Sequence, residues 1–459
     1  MSESIIAKER KFWQDLQKKT FLIIGFTDRT GLAAARLFDR FQVRYRISEL
    51  RPLSSFENLL QGLSVNYNDI YHGPQGPEQL QDVDAVLLSP GVPRSIALVK
   101  AAVSRGIPVY NDYDLLFTLY KEKKIIAVTG TDGKTTTASL LGDILSTTYK
   151  TVICGNNGIP VMSVYDRLLH SAVIILEMSS YMLEEIKFFH ADYNIITNID
   201  RDHLDRYDSF AAYKKAKFNL LRYCSAADVF IRNLDCSYIY NSSCPGRIID
   251  VSRKKEAAYT YDMKTDQIRC QKGSFSFGQA LLKGLHNIEN IMFCAAVAED
   301  MGVPFTEIKN SVLNFSPLPD RLEKVTAAAG KEVYNDSKAT TVQAVARALS
   351  SFTKPIILIA GGRCKEFNFA PLVRYADKLK ALVTYGEHGR RIMDFFSDLE
   401  KKYYYSSFTA AVKYAWSLIE EDDILLLSPA ATSWDQFSSY HARGESFKKI
   451  IQQLAIHDE

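Results

Sequence analysis

Residues Ile125–Thr136 read IIAVTGTDGKTT. The apolar start, Ile125 to Val128, has the length and character of a buried strand. Gly130 and Gly133 mark a tight loop, and Lys134 opens a helix. A strand, a glycine-rich loop and a helix in that order make a phosphate cradle. Backbone N–H groups and the helix N-terminus meet a polyphosphate, Lys134 reaches its β- and γ-phosphates, and the Thr135 hydroxyl ligates Mg²⁺. The two glycines stand closer together than in G-x-x-x-x-G-K-[ST]. It is the placement between an apolar strand and a helix that favours an ATP site over an ordinary basic turn.

Outward from this loop the same alternation continues. Upstream, Phe21–Gly25, Val43–Ser48 and Ala85–Pro93 read as strands, with GLAAARLFDRF as a helix between the first two. The Gly25–Gly31 stretch lacks the G-x-G-x-x-G spacing, so a complete dinucleotide fingerprint is not expected there. The charged KEKK, Lys121–Lys124, marks a domain boundary. Downstream, strands are expected at Val173–Glu177, Tyr193–Asn198 and Asp228–Arg232, and HNIENIMFCAAVAEDMG as a helix. The polar region 245–282 reads as a small antiparallel sheet. Asn314–Glu323, broken by prolines, is a second linker. A third block follows, with strands at Glu332–Asn335, Pro355–Ala360, Ala381–Tyr385 and Asp423–Ser428. The expectation is an α/β protein of three domains, 1–120, 121–318 and 319–459: Rossmann-like, P-loop-type ATPase, and a second Rossmann-like parallel sheet.

Composition agrees. A chain of 459 residues exceeds what one core usually holds, and 47% hydrophobic with 24% charged residues excludes a mainly disordered chain. Fifty-six basic against 53 acidic residues leave +3, which gives no global attraction for nucleic acid or an anionic membrane. The longest apolar runs are strand-sized, so no membrane insertion is expected. Seven scattered cysteines without a Cys-x-x-Cys pair read as reduced thiols in a cytoplasmic protein.

Further polar clusters lie just past strands, where ligands of such sheets bind. Glu177 ends an apolar strand in ILEMSS. It is either a Mg²⁺ ligand or a half-exposed strand-end glutamate. NIDRDHLDR, Asn198–Arg206, packs His203 among Asp200, Asp202 and Asp205, and could equally be a solvated loop. YKKAK, Tyr213–Lys217, lies on a helix whose lysines would ordinarily face water. NDSKATT from Asn335, GGRCKEFNF from Gly361, and LLLSPAATSWDQFSSYHARGESF from Leu425 each place hydrogen-bonding residues at a strand end.

Together these motifs resemble the Mur ligase family, from about Phe21 to the C-terminus. The resemblance rests on TGTDGKTT, LEMSSYMLE, NIDRDHLDR, YKKAK and the H-N-x-x-N of His286–Asn290. NDSKAT and SPAATSWDQF match the member that adds D-glutamate in peptidoglycan synthesis. Asp132 stands where the family has Asn, and Trp434 and Tyr440 where Leu and Phe are more common. The resemblance implies an ATP-dependent ligase joining D-glutamate to UDP-N-acetylmuramoyl-L-alanine through an acyl phosphate, with two Mg²⁺ ions, acting as a monomer.

It further implies residue roles. Gly130, Thr131, Asp132, Gly133, Lys134, Thr135, Thr136, Asn287, Asn290, Arg321 and Asp336 surround ATP. Thr135 and Glu177 hold one metal ion. His203 and Lys217 hold the second, Lys217 as the carbamate formed with CO₂, since an ammonium cannot ligate a cation. Thr30, Glu49, Arg51, Ser89, Asn156 and His203 line the UDP substrate. Lys338, Thr340, Lys365, Ser433 and Tyr440 surround D-glutamate. Lys134, Lys217, His203 and Glu177 carry the catalysis. Competing readings are a ligase of the same family for another amino acid or for folate polyglutamates, a phosphotransferase that stops at phosphorylation, and a catalytically dead binding protein.

Overall fold

Near-continuous apolar strands, buried on both faces, are the mark of parallel sheets covered by helices, and three such sheets organise this chain. The computed structural model describes residues 3–184, 186–187, 189–201, 206–316, 318–325, 330–365 and 367–458. The first sheet holds β1 (Thr20–Ile24), β2 (Arg44–Glu49), β3 (Ile70–His72), β4 (Ala85–Leu88) and β5 (Val109–Tyr110). All pair in parallel in the order β3-β2-β1-β4-β5. The strand order reverses between β1 and β4, which opens a crevice beyond their C-terminal ends.

The second sheet is built on β6 (Lys124–Thr129), β7 (Thr151–Gly155), β8 (Val173–Glu177), β9 (Tyr193–Ile196) and β10 (Val229–Asn233). It continues through β11 (Arg247–Ser252), β12 (Tyr259–Asp262), β13 (Gln267–Arg269) and β14 (Ser274–Ser276). The order is β14-β13-β12-β11-β10-β9-β6-β8-β7. This corrects the expectation for 245–282. The region is not a separate antiparallel sheet. β11 runs parallel to β10, and β12 parallel to β11, so both extend the central sheet. The antiparallel turn comes only at β12–β13.

The third sheet holds β15 (Glu323–Lys324), β16 (Glu332–Asn335), β17 (Ile356–Gly361), β18 (Leu379–Tyr385), β19 (Lys402–Tyr405) and β20 (Ile424–Leu427). Its order is β15-β16-β20-β17-β18-β19, parallel but for β15. Each sheet is the spine of one α/β domain. The chain divides into two compact units, residues 1–275 with 289–311, and residues 276–288 with 312–459. The first two sheets belong to the former, save Ser276 at the end of β14, and the third to the latter.

A helix over Glu3–Gln17, not anticipated from the sequence, joins the first two domains. Its Trp13 is 3% exposed. The indole stacks on Phe41 of the first domain, centroids 4.0 Å apart. Its Nε1 donates to the hydroxyl of Tyr165 in the second domain at 2.6 Å. Nearby, Arg40 forks onto Asp166 at 2.7 and 2.8 Å. That pair is half-exposed and contributes under about 1 kcal/mol. Burying the indole contributes more, about 2–3 kcal/mol, so packing and not charge dominates this junction. Among the described residues, no helix is long and apolar enough to cross a membrane.

Candidate active site

β6 is a central strand of its sheet, flanked by β8 and β9. Its C-terminal end releases the chain into Gly130–Gly133, and the helix Lys134–Ser146 begins at once. Gly133, in the left-handed region at φ +82°, precedes that helix and carries no side chain to cap it. The first helical N–H groups are therefore not capped by that residue's side chain, as an anion site at a helix N-terminus requires. Gly130 has φ +145°, and a Cβ there would lie 1.9 Å from Thr197 Oγ1. Both glycines are thus demanded by the fold.

Neighbouring strand ends hold the loop. Asp132 N donates to Asn198 Oδ1 at 3.0 Å, and Asn198 Nδ2 donates to Asp132 O at 3.1 Å. Thr197 Oγ1 donates to the same carbonyl at 2.6 Å. The Thr131 hydroxyl meets Tyr213 OH at 3.0 Å. Lys134 Nζ donates to the carbonyls of Gly130 and Thr131, at 2.9 and 2.7 Å. Thr136 is buried, while Thr131–Thr135 remain half-buried. Asn290 packs against the loop from its own helix, Leu285–Asp300, and its Oδ1 accepts from Thr137 Oγ1 at 3.1 Å. Asn287, three residues earlier on that helix, donates from Nδ2 to Lys283 O at 2.6 Å.

Lys217 departs from the ordinary behaviour of a helix lysine. It is 2% exposed, and its Nζ donates to Gly130 O at 2.6 Å. The same nitrogen sits 4.7 Å from the Tyr213 ring centroid. The YKKAK helix therefore drives one lysine beneath the phosphate loop. Glu177 is 1% exposed at the end of β8. Its Oε1 accepts from Asn156 Nδ2 at 2.9 Å. Its Oε2 is buried without a hydrogen-bond partner among the described residues. A buried carboxylate oxygen left bare is costly unless a cation or proton meets it, so the position fits a metal ligand. The half-exposed alternative for Glu177 is excluded by its burial. Asn156, expected at the UDP substrate, donates to this carboxylate through its side chain and to Glu177 O through its backbone N–H at 2.8 Å. His203, with Asp202 and Asp205, lies outside the described residues. Among the described residues, no group of three or more His, Cys, Asp or Glu side chains converges as a metal cage.

In the first domain the expected UDP contacts gather at the crevice. Ser89 Oγ donates to Gly25 O at 2.6 Å, across the β1–β4 reversal. Glu49, at the end of β2, accepts from Phe26 N at 2.6 Å and from Arg51 Nε at 3.0 Å. Burial would raise its pKa. The Arg51 guanidinium and the N–H groups of Arg51 and Phe26 outweigh that and hold the carboxyl below the usual range. Thr30 opens the helix Thr30–Arg40 and is 9% exposed. Arg206, given no role from the sequence, donates to Gly91 O of the SPG turn at 2.9 Å and pairs with Glu184 at 3.3 Å.

In the third domain the expected amino-acid residues stand past β16, β20 and β17, which are adjacent strands. Their loops are wired together. Ala430 N donates to Ala339 O at 3.0 Å, Ser337 Oγ to Tyr440 O at 2.8 Å, and Thr432 N to Arg363 O at 2.9 Å. Thr340 N donates to Lys338 O at 2.8 Å, which tightens the turn, and Ser433 is buried. Lys338 Nζ lies 3.8 Å from the Tyr440 ring centroid, and Lys365 Nζ 5.6 Å from that of Trp434. At the centre is Arg443, 0% exposed. Its Nε donates to Ser337 Oγ at 2.9 Å and its Nη2 to Ser337 O at 2.8 Å. Its Nη1 reaches Ala431 O at 3.1 Å and Tyr385 OH at 3.2 Å. Asp336 is buried too, and accepts from Ser428 Oγ at 2.8 Å and from Leu322 N at 3.2 Å. Burial pushes its carboxyl up to about 7, against the opposing pull of Ser428, Leu322 N–H, Arg321 and Arg347. Arg321 itself sits between Asp320 and Leu322, both non-glycine residues at positive φ, +62° and +44°, a turn that the surrounding bonds must hold against strain.

Comparison with known proteins agrees with this geometry. The Mur ligase middle domain matches residues 128–298, and the Mur ligase, glutamate ligase domain matches residues 320–431. A UDP-N-acetylmuramoylalanine--D-glutamate ligase from Syntrophus aciditrophicus is 32% identical over 97% of this chain and 100% of its own length. This chain belongs to the Mur ligase family. A ligase of the same name from Bacillus subtilis is 31% identical over 96% of this chain and 99% of its own. Among solved structures, the UDP-N-acetylmuramate-alanine ligase of Thermotoga maritima superposes with a TM-score of 0.61 at 16% identity, covering 96% of this Mur ligase and 100% of that chain. At that identity the likeness concerns the fold, which is the three-domain α/β fold of the family. The protein is accordingly an enzyme, an ATP-dependent ligase.

Proposed function

We propose that this Mur ligase adds D-glutamate to UDP-N-acetylmuramoyl-L-alanine in peptidoglycan synthesis, using ATP. The observation that carries the reading is the arrangement at the end of β6. There a phosphate loop, a buried Lys217 bound to its first carbonyl and the bare Glu177 oxygen accompany near-full-length similarity to ligases of that name. We take the domains as 1–120 for the UDP substrate, 121–318 for ATP and 319–459 for the amino acid.

The alanyl carboxylate attacks the γ-phosphorus of ATP, the bond to the bridging oxygen breaks, and ADP leaves. The acyl phosphate so formed has a good leaving group. The D-glutamate amine adds to its carbonyl carbon, loses a proton, and phosphate departs as the amide forms. Residues Gly130–Thr136 and Lys134 in particular hold the β- and γ-phosphates, where charge must be stabilised as the phosphoryl group moves. Asn287, Asn290, Arg321 and Asp336 line the rest of the nucleotide. Thr30, Glu49, Arg51, Ser89 and Asn156 receive the UDP substrate, and Lys338, Thr340, Lys365, Ser433 and Tyr440 receive D-glutamate.

Two Mg²⁺ ions, on Thr135 with Glu177 and on His203 with Lys217, would neutralise the polyphosphate. Lys217 would serve there as its carbamate. A carbamate keeps one N–H, the donor it would need to stay bonded to Gly130 O. The protein acts as a monomer in the cytoplasm. All seven cysteines are free thiols, in keeping with a reducing compartment. The test is phosphate release from ATP. It should require both UDP-N-acetylmuramoyl-L-alanine and D-glutamate. Turnover without the amino acid would favour a simple phosphotransferase, and a preference for another amino acid would favour a different Mur ligase.

A further inference from the structure

Trp434 has no part in the chemistry above, yet its placement is unusual. It is 62% exposed, whereas Trp13 and Trp416 are 3% and 4% exposed. Leaving a large apolar side chain in water forgoes the gain of burying it, so its position calls for another use. The exposure is not looseness. Ser433 O accepts from Gln436 N and Phe437 N at 3.1 and 2.8 Å, Glu387 N donates to Asp435 Oδ2 at 3.2 Å, and Phe408 N to Gln436 Oε1 at 3.0 Å. The turn that carries the indole is pinned on both sides.

The Lys365 ammonium lies at that indole, 5.6 Å from its centroid, and no ion pair of Lys365 occurs among the described residues. Lys338 rests on Tyr440 in the same manner, 3.8 Å from its centroid. Both rings come from the segment following β20, and the lysines follow β16 and β17, the two strands that flank β20. An aromatic face attracts an ammonium without cancelling its charge. A carboxylate in the same place would compete with an anionic substrate, and an aliphatic side chain would leave the lysine to wander.

We propose that Trp434 is a positioning residue for the amino-acid substrate: its indole holds Lys365 toward the incoming carboxylate and forms one wall of that subsite. This rests on the D-glutamate reading given above.

The test is steady-state kinetics on the full chain, varying D-glutamate at saturating ATP and UDP substrate. Trp434→Leu should raise the KM for D-glutamate about three- to tenfold, the range of an exposed to partly desolvated cation–π contact, and the ATP KM should move far less. Trp434→Phe, which keeps an aromatic face, should recover most of the difference. In the wild-type enzyme D-glutamate should shift the tryptophan emission, and Trp434→Phe should abolish that shift. An unchanged D-glutamate KM in Trp434→Leu, while Lys365→Ala raises it, overturns the role of Trp434 and leaves the D-glutamate reading intact. Equal movement of both constants also overturns it. Wild-type phosphate release that ignores D-glutamate would sink the underlying reading and this inference with it.

Discussion

Lys217 Nζ donates a 2.6 Å hydrogen bond to Gly130 O, 87 positions away in sequence, and does so 2% exposed. A lysine is buried at a phosphate loop only where something offsets its lost hydration. If it is a carbamylated ligand, Lys217→Ala should lose at least about a hundredfold in turnover, the scale of a lost transition-state stabiliser. Acetate should restore part of that activity by taking the vacated place. Bicarbonate labelled with ¹³C should give a carbamate resonance in the wild type that the variant lacks. Full activity of the variant without additive would remove Lys217 from the metal site.

Lys134 spans the loop from the first turn of its helix, contacting two loop carbonyls. Lys134→Ala deletes the loop's own cation but leaves both glycines and the Asn198 bracket in place. We expect turnover to fall by about a hundredfold or more while the thermal midpoint changes little. Turnover near the wild-type value would overturn the ATP-site assignment.

Asp336 sets a pH dependence in the third domain. Its carboxyl rises from 3.8 to about 7 on folding because it is buried. Between those values the folded chain keeps a proton that the unfolded chain releases. Stability therefore falls as pH rises through that window and levels off above it. Asp336→Asn can still meet Leu322 N–H and the Ser428 hydroxyl, and should flatten this decline. Urea midpoints from pH 4 to 8 would show it as a wild-type-minus-variant difference that becomes steadily more negative toward high pH. A constant difference across that range would mean that Asp336 is ionised throughout.

Arg443 is a fork that no other side chain reproduces. Arg443→Lys loses the planar donors and leaves oxygens of Ser337 and Ala431 poorly met, each costing about 1–3 kcal/mol. We expect an overall loss on the order of 3 kcal/mol and a fall in Tm of about 6–12 °C, together with a raised D-glutamate KM. A Tm within error of the wild type would show that the lysine, or water, replaces the fork.

The loop at Gly130–Lys134 was legible because its letters, the preceding apolar strand and the following helix all point the same way. Strands such as Val173–Glu177 and Glu332–Asn335 fall where periodicity put them. The error at 245–282 has a physical origin. Periodicity marks a strand but not its neighbour, and β11 joins β10 in parallel through a connection, residues 234–246, that contains no helix. Burial of charge was equally hidden. Lys217 and Arg443 look like surface residues of helices, and what draws them inside are carbonyls at Gly130, Ser337 and Ala431, contributed by distant segments. The Glu3–Gln17 helix left a faint signal in Phe12, Trp13 and Leu16, an apolar face at helical spacing.

The Trp13–Tyr165 bond has a bearing on how the chain is made. Its two ends are 152 positions apart. At about 5–20 residues per second, a nascent chain displays the indole for roughly 8–30 s before its hydroxyl partner emerges. During that interval the first sheet can form and offer Phe41 alone, so half of the seam waits, greasy and unclosed, beside the ribosome.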